Sequence, residues 1–276
     1  MTTAFLETTV LTNLLLKKDG SEEEATALLS TFAVVIVPQF AWKEFKRGPL
    51  ANFRWMHNKL AATKSYAASM AALQRMSRSP RGYLTSTAIQ ALHTAFVSAF
   101  KGIAWEALGR TYGKNVDADV LIADALRLKL KQLIFYSWGQ RKTLFGGQKK
   151  ILTCYPDIDI KESMPLLDLT PIDCPNGQEC CLKTSLVAQS QRVAVARAAL
   201  ASDDGRQETT RRRQFLRQIE RHPQTPMGKR QCQQFGDAYF VLFCPNDAVI
   251  ITTNERDIKP MADALNIAVA NPTATP

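Results

Sequence analysis

The chain has 276 residues, of which 46% are hydrophobic and 22% are charged. This composition excludes a disordered chain, and the length permits one large domain or a compact domain that carries an insertion. The formal net charge of +10 favours polyanionic partners such as nucleic acid, although a positive surplus can also serve solubility alone.

No segment has the features of a secretory signal or of a membrane span. The first ten residues lack a basic start followed by an apolar run. Apolar runs such as residues 32–37 are far shorter than the roughly 20 residues that a spanning helix needs. We therefore expect a cytoplasmic protein with no membrane partner, in which the six cysteines do not form a disulfide framework.

The N-terminal fifty residues have the pattern of a β-α-β-α unit. Residues 4–6 are a short apolar strand that ends at Glu7, and leucine and valine then recur at helical spacing. Residues 32–37 are continuously apolar and β-branched, which is typical of a parallel strand buried on both faces. Pro38 can open a helix, and that helix carries Glu44.

The middle of the chain is mainly helical in its pattern. Apolar periodicity predicts helices at residues 60–76, 85–108, 118–138, 186–201 and 206–221. Residues 145–181 collect glycine, proline and cysteine, and they predict an irregular segment with one short strand at 151–154.

The end of the chain returns to the α/β pattern. A helix is predicted from Asp237 and a buried strand at 248–252, followed by a loop that carries Glu255 and Asp257. A closing helix follows at 258–265, and a tail rich in small residues begins at 268.

Neither end of the chain supplies enough strands for a sheet of its own. We therefore predict an α/β fold in which residues 1–49 and 227–270 form one core around a parallel sheet. Residues 50–226 would then be a large, mainly helical insertion that contains the irregular segment 145–181.

Several acidic residues follow the predicted strands or lie on the helices after them. In an open parallel sheet, the carboxyl ends of the strands form the ligand crevice. Carboxylates that converge there repel one another unless a cation joins them, and oxygen donors suit Mg²⁺ or Mn²⁺. Each acid alone is an ordinary solvated or helix-capping residue. Together they predict a candidate cation site formed by Glu7, Glu44, Asp237, Glu255 and Asp257.

Four segments resemble the motifs of PIN-domain nucleases. Residues 5–11 are similar to the family's first strand and its acid, and residues 38–50 to its second motif. Residues 236–241 resemble its third motif, and residues 248–258 its last strand with an acidic loop. The resemblance implies an α/β/α sandwich and a metal-dependent endonuclease that cleaves nucleic acid, usually RNA. Many members of the family are toxins of toxin–antitoxin pairs.

Carried over by motif, the resemblance assigns roles to individual residues. The implied metal ligands are Glu7, Glu44, Asp237 and Glu255, with Asp257 as a substitute for Glu255. Thr8 and Thr253 would support these ligands or contact phosphate. The family usually has Asp where this chain has Glu7 and Glu255. The alternative is therefore a catalytically weak or inactive PIN-like protein that binds nucleic acid or serves as a scaffold through its partners.

The helix predicted at 206–221 is strongly basic. Together with the two basic residues that precede Asp237, it offers a surface for a phosphate backbone, formed by Arg206, Arg213, Arg217, Arg221, Lys229 and Arg230. The alternative is a solvated basic face. The helical insertion is a candidate site for an antitoxin or a complex subunit, and a homodimer is left open.

The cysteines of the irregular segment are a poor match to a zinc site. Cys174 and Cys180 are separated by five residues and Cys181 follows directly, whereas zinc hooks favour two to four intervening residues. Cys232 or His222 would be needed as further ligands. We therefore do not expect Zn²⁺ there, and we interpret these cysteines as buried thiols.

Overall fold

A computed structural model describes residues 2–16, 21–77, 117–140, 159–163, 165–170, 181–200, 206–224 and 229–273. Its strands are β1 Thr3–Leu6, β2 Val34–Ile36, β3 Asp159–Ser163, β4 Leu166–Thr170, β5 Ala248–Ile251 and β6 Val269–Ala270. Its helices are α1 Thr8–Leu16, α2 Ser21–Leu29, α3 Gln39–Phe45, α4 Ala51–Thr63, α5 Tyr66–Ser77, α6 Ala118–Gly139, α7 Cys181–Ala188, α8 Ser190–Ala199, α9 Gln207–Arg221, α10 Lys229–Leu242 and α11 Glu255–Ala264. The predicted helix at 85–108 and strand at 151–154 lie outside the described residues.

The two ends of the chain share one parallel sheet. Its strand order is β2-β1-β5-β6, and all three neighbouring pairs run parallel. Strand β1 pairs with β5 along its full length, with Thr3 opposite Ala248 and Leu6 opposite Ile251. The predicted α/β class and the joining of both chain ends in one parallel sheet are confirmed.

The outer strands differ from the expectation. Val34 is 46% exposed, so the prediction that β2 is buried on both faces is wrong at this residue. The reason is that β2 is the outermost strand on its side of the described sheet, so a neighbouring strand covers it on one side only. Strand β6 falls within the predicted C-terminal tail. It accepts a hydrogen bond from the backbone of Thr252 through the Ala270 carbonyl, at 3.0 Å.

Contacts along the chain divide the described residues into two compact units. The sheet unit contains the residues up to Glu44 and those from Cys181 onward. The helical unit contains the residues from Phe45 to Gln140 and the residues 159–170. Helices α7, α8 and α9 thus fall in the sheet unit, whereas the sequence assigned them to the insertion 50–226. Their packing explains the difference, because α8 contacts α9 and α11 while α9 contacts α10.

Two helix boundaries in the sheet unit also differ from those predicted from the sequence. The predicted helix at 186–201 is two helices, α7 and α8, that meet at Gln189. The predicted loop at 253–258 is largely the first turn of α11, which contains Glu255 and Asp257. Acidic residues in a first turn are stabilised by the positive end of the helix dipole, so a helix start there is physically reasonable.

The helical unit is formed by α4, α5, α6, a π-helical segment at Lys46–Leu50 and a β-hairpin. The predicted helix at 60–76 is interrupted because Lys64 has a left-handed backbone with φ of 50° and ends α4. The prediction of an irregular segment is wrong for residues 159–170, where β3 and β4 pair as an antiparallel hairpin. The side chain of Asn58 pairs with both backbone polar groups of Leu167, at 2.8 Å each, and so fastens the hairpin to α4.

In the part of the chain that the structure describes, none of the helices is long and apolar enough to cross a membrane.

Candidate functional site

Glu7 stands directly after β1, at the carboxyl end of the parallel sheet. It is only 2% exposed, and its carboxylate oxygen Oε2 accepts hydrogen bonds from three donors. The backbone N–H of Thr9 donates at 3.0 Å and the Thr252 hydroxyl at 3.2 Å, while the Thr9 hydroxyl is a third partner. Because Thr252 follows β5, the pairing of β1 with β5 brings the two ends of the chain together at this carboxylate.

Glu44 lies on α3 and faces the same region. Its carboxylate accepts a hydrogen bond from the hydroxyl of Thr8, the residue after Glu7. The backbone of Gly236 is close by, since a Cβ placed there would lie 3.8 Å from Glu44 Oε1. The first, second and third motif-like segments of the sequence therefore meet at Glu44.

Aromatic packing holds the helices that carry the acids. Phe40, one turn before Glu44, stacks on Tyr239 of α10 with ring centroids 4.4 Å apart. Phe240 makes an edge contact with Phe5 of β1 at 6.3 Å. These buried rings fix α3 and α10 against the sheet, so the positions of Glu44 and Asp237 follow from core packing.

Asp237 follows a kink in α10. Gly236 has φ of 18° and ψ of −107°, which are not helical angles, so a new helical run begins at Asp237. The sequence predicted a helix start at this residue, and the kink agrees with it.

A buried arginine reaches Asp237 from α9. Arg212 Nη2 donates to Asp237 Oδ2, and Arg212 Nη1 lies 4.0 Å from Asp257 Oδ1. The sequence placed Arg212 only beside the predicted basic face and assigned it no role at the acids. Its spacing was a usable signal, because Arg212 precedes Phe215, Leu216 and Ile219 on the buried stripe of α9.

The last motif contributes Asp257 and not Glu255. The carboxylate of Asp257 accepts a hydrogen bond from Asn254 Nδ2 at 3.1 Å and pairs with Arg206. Asp257 shares Arg212 with Asp237 and raises the pKa of Asp237. Among the described residues, no hydrogen bond or ion pair links Glu255 to Arg212 or Arg206. The substitute ligand that the sequence offered is therefore the acid that the structure brings near Asp237. We use the term acidic cluster for Glu7, Glu44, Asp237 and Asp257.

The predicted basic face divides into two groups. Arg206 was expected to bind nucleic acid, but it pairs with Asp257 inside the sheet unit. Arg213, Arg217 and Arg221 are exposed along α9. Lys229 and Arg230 begin α10, and their side chains lie outside the described residues.

The two threonines named by the resemblance touch the site. Thr8 donates to Glu44, and the Thr253 hydroxyl donates to the Thr9 hydroxyl at 2.9 Å. Thr9 and Thr252, which the sequence analysis did not select, are the residues that contact Glu7 directly.

The pKa values of Glu7, Glu44 and Asp237 are raised, chiefly because these carboxyl groups are buried. Burial raises the pKa of Glu7 to about 7 and that of Glu44 to about 8, and repulsion from Asp237 adds to both shifts. Burial also raises the pKa of Asp237, while Arg212 opposes that shift. Without a further cation, the acidic cluster would therefore hold protons near neutral pH.

The donor set fits a hard divalent cation by its chemistry. Its ligands would be carboxylate and hydroxyl oxygens, which Mg²⁺ and Mn²⁺ prefer, and its surplus charge is negative. Within the described ranges, however, no three acidic, histidine or cysteine side chains converge as a ready-made ion site. Local partners account for this, because Thr9 holds Glu7, Thr8 holds Glu44 and Arg212 holds Asp237.

The cysteines add no metal centre to the described part of the chain. Cys232 and Cys244 are free and buried, and Cys232 Sγ lies 2.7 Å from Lys43 Nζ. Cys154, Cys174 and Cys180 lie outside the described residues, and His222 is exposed at the end of α9.

Comparison with known proteins identified no relative. No protein family, curated protein or solved structure matches the chain. The function is therefore inferred from the geometry and chemistry of the acidic cluster.

Proposed function

We propose that the chain is a metal-dependent endonuclease with a PIN-like α/β/α core, which hydrolyses phosphodiester bonds of nucleic acid. One observation carries the proposal. Glu7, Glu44 and Asp237 come from distant segments, yet Asp237 raises the pKa of both glutamates and Glu7 raises that of Glu44, so the three carboxyl groups lie close together. Burying like charges together is costly, and such arrangements are concentrated at functional sites.

The residues of the cluster have separable roles in this proposal. Glu7, Glu44 and Asp237 would hold Mg²⁺ or Mn²⁺, and such an ion supplies Lewis-acid chemistry for phosphodiester hydrolysis. Thr8, Thr9 and Thr252 orient the glutamates by hydrogen bonds, so that each carboxylate keeps one direction.

The substrate would be a polyanion. Arg213, Arg217 and Arg221 recur at helical spacing on the exposed side of α9, where their guanidinium groups can contact phosphates. The resemblance favours RNA over DNA and an antitoxin-like partner, and both belong to the proposal.

The test is Asp237→Asn, which keeps the shape of the side chain and removes its charge. With Mn²⁺ present, we expect cleavage of labelled RNA and DNA to fall about 100-fold or more, since even the residues that support metal ligands contribute 10- to 100-fold. Asp263→Asn, an exposed change on α11, serves as the control and should cleave like the parent. Undiminished cleavage by Asp237→Asn would refute the proposal.

A second candidate is a nucleic-acid-binding protein without nuclease activity. The ion pair between Arg212 and Asp237 favours it, because an arginine already neutralises one of the acids. This candidate predicts binding of RNA or DNA with no cleavage in Mn²⁺.

Both candidates use the exposed arginines of α9. The double variant Arg213→Gln with Arg217→Gln should weaken nucleic-acid binding and reduce its salt dependence by about two phosphate contacts. Arg75→Gln, at an exposed position on α5, is the matched control. Equal binding by the double variant and the control, measured by fluorescence anisotropy at several salt concentrations, would exclude this surface.

A further inference from the structure

The most unusual side chain of the sheet unit is Arg212. Its side chain is only 7% exposed, although α9 carries exposed arginines on both sides of it at Arg211 and Arg213. Two of its nitrogens, Nε and Nη1, are buried without a hydrogen-bond partner among the described residues. Arg212 is therefore held mainly by the carboxylates of Asp237 and Asp257.

Packing alone gives no reason for a charge at this position. The other buried side chains of α9 include Phe215, Leu216 and Ile219, and an apolar residue would continue that stripe. Burying a guanidinium group costs free energy unless ion pairs and hydrogen bonds offset the loss of hydration. Here two nitrogen donors of Arg212 have no hydrogen bond among the described residues. The arrangement is explained if the acidic cluster requires a cation at this point.

The charges of the cluster define what it can still bind. Two guanidinium groups reach its four carboxylates: Arg212 pairs with Asp237 and lies 4.0 Å from Asp257, and Arg206 pairs with Asp257. With all groups ionised, two negative charges remain, which equals the charge of one divalent ion. Asp237 Oδ2 is already engaged by Arg212, so an incoming ion must share or take this oxygen.

We propose that Arg212 is a resident cation of the acidic cluster, which competes with a divalent ion for Asp237 and thereby sets the affinity for that ion. The inference rests on the proposed function, because it takes the acidic cluster as the metal site. Arg212 acts here as a positioning residue that holds Asp237 in the absence of the ion. The metal concentration at which the acidic cluster fills is then set by Arg212 of α9 as well as by the acids.

The experiment is a calorimetric titration of the whole chain with Mn²⁺. Removing a positive charge next to the ion should strengthen its binding, so we expect Arg212→Met to lower the Kd about tenfold or more. Arg212→Lys keeps the charge and should bind Mn²⁺ within about threefold of the parent. Arg213→Met removes an exposed arginine of the same helix and should leave the Kd unchanged.

The outcomes separate this inference from the proposed function. If the parent binds Mn²⁺ and Arg212→Met binds it equally or more weakly, Arg212 is not a competitor and the inference is overturned. If neither the parent nor any variant binds Mn²⁺, the metal-dependent nuclease is refuted together with it. Tighter binding by Arg212→Met, with Arg212→Lys near the parent, supports both.

A second measurement covers the case in which Arg212→Met does not fold. In the parent chain labelled with ¹⁵N-arginine, the Nε–H signal of Arg212 is identified by its absence from Arg212→Lys. We expect this signal to shift when Mg²⁺ is added, since the ion alters the pairing with Asp237. A signal that stays in place while calorimetry shows Mg²⁺ binding would overturn the inference.

Discussion

An ion pair of the sheet unit is largely buried, whereas an ion pair of the helical unit is exposed to solvent. In the sheet unit, Arg212 and Asp237 pair with side chains only 7% and 21% exposed. In the helical unit, Lys131 and Glu162 pair at 2.6 Å with side chains 33% and 39% exposed. Exposed pairs contribute little to stability, whereas buried charges cost stability when a partner is missing. The comparison indicates that the buried pair is costly to break, whereas the exposed pair contributes little to stability.

The largest expected effect is a dependence of the free energy of unfolding on pH, which arises from the buried acids of the sheet unit. Burial raises the pKa of Glu44 from its ordinary value to about 8, so the folded state binds this proton more tightly than the unfolded chain does. The free energy of unfolding should therefore fall as pH rises from about 4.5 towards about 8. Glu44→Gln removes the share of this dependence that Glu44 contributes, while the share of Glu7 remains, and it should stabilise the metal-free chain at pH 9 by on the order of 3 kcal/mol.

Chemical denaturation at pH 5 and pH 9 measures this effect. Glu23→Gln, an exposed change in the first turn of α2, is the matched control and should not alter the pH dependence. Mg²⁺ should restore the stability of the parent at pH 9, because the ion binds the folded chain only. A parent chain as stable at pH 9 as at pH 5 would contradict the surplus charge of the acidic cluster.

An intermediate loss of stability is expected when the neutral side chain of Asn58 is removed from the helical unit. Asn58→Ala removes two hydrogen bonds of 2.8 Å that join α4 to the backbone of Leu167. Because backbone groups of the hairpin lose their partners, we expect a loss of about 2 kcal/mol in the free energy of unfolding. Asn58 Oδ1 also lies 3.0 Å from His57 Nδ1, and burial lowers the pKa of His57 while this contact raises it. The loss should therefore be somewhat larger at pH 5 than at pH 9, and a larger loss at pH 9 would contradict this assignment.

The smallest effect is expected from the exposed ion pair. Lys131→Gln should cost about 0.5 kcal/mol or less, and Glu162→Gln a similar amount, since solvent screens both groups. Increasing salt should reduce even this difference. A loss of stability as large as that of Asn58→Ala would contradict the prediction that this exposed ion pair contributes little.

The acids of the acidic cluster could be selected from the sequence because each stands near a residue pattern that marks the end of a strand or the start of a helix. Glu7 ends an apolar strand, Glu44 follows Pro38, and Asp237 follows the glycine that kinks α10. Such signals act over a few residues, so a single chain carries them. The choice between Glu255 and Asp257 could not be made in this way, because both lie in the first turn of α11.

Other features depend on neighbours far away in the chain. The exposed side of β2 and the pairing of β6 follow from strand order, which no local pattern encodes. The spacing of Arg212 from Phe215 and Leu216 indicates that it faces the core, but that spacing does not show which acid it meets there. The left-handed residue Lys64 likewise ends α4 without a glycine or proline to mark it.

The sequence by itself determined the α/β class, the central strands and the acids at their carboxyl ends, because apolar periodicity and helix starts are local properties. Tertiary structure alone decided that Asp257 and Arg212 join those acids and that Arg206 turns to Asp257. The physical reason is that the partner of a charged side chain depends on the residues that surround it in the folded chain. Whether an arginine meets water or a buried carboxylate depends on how α9, α10 and α11 pack, and that packing is settled only when the whole core forms.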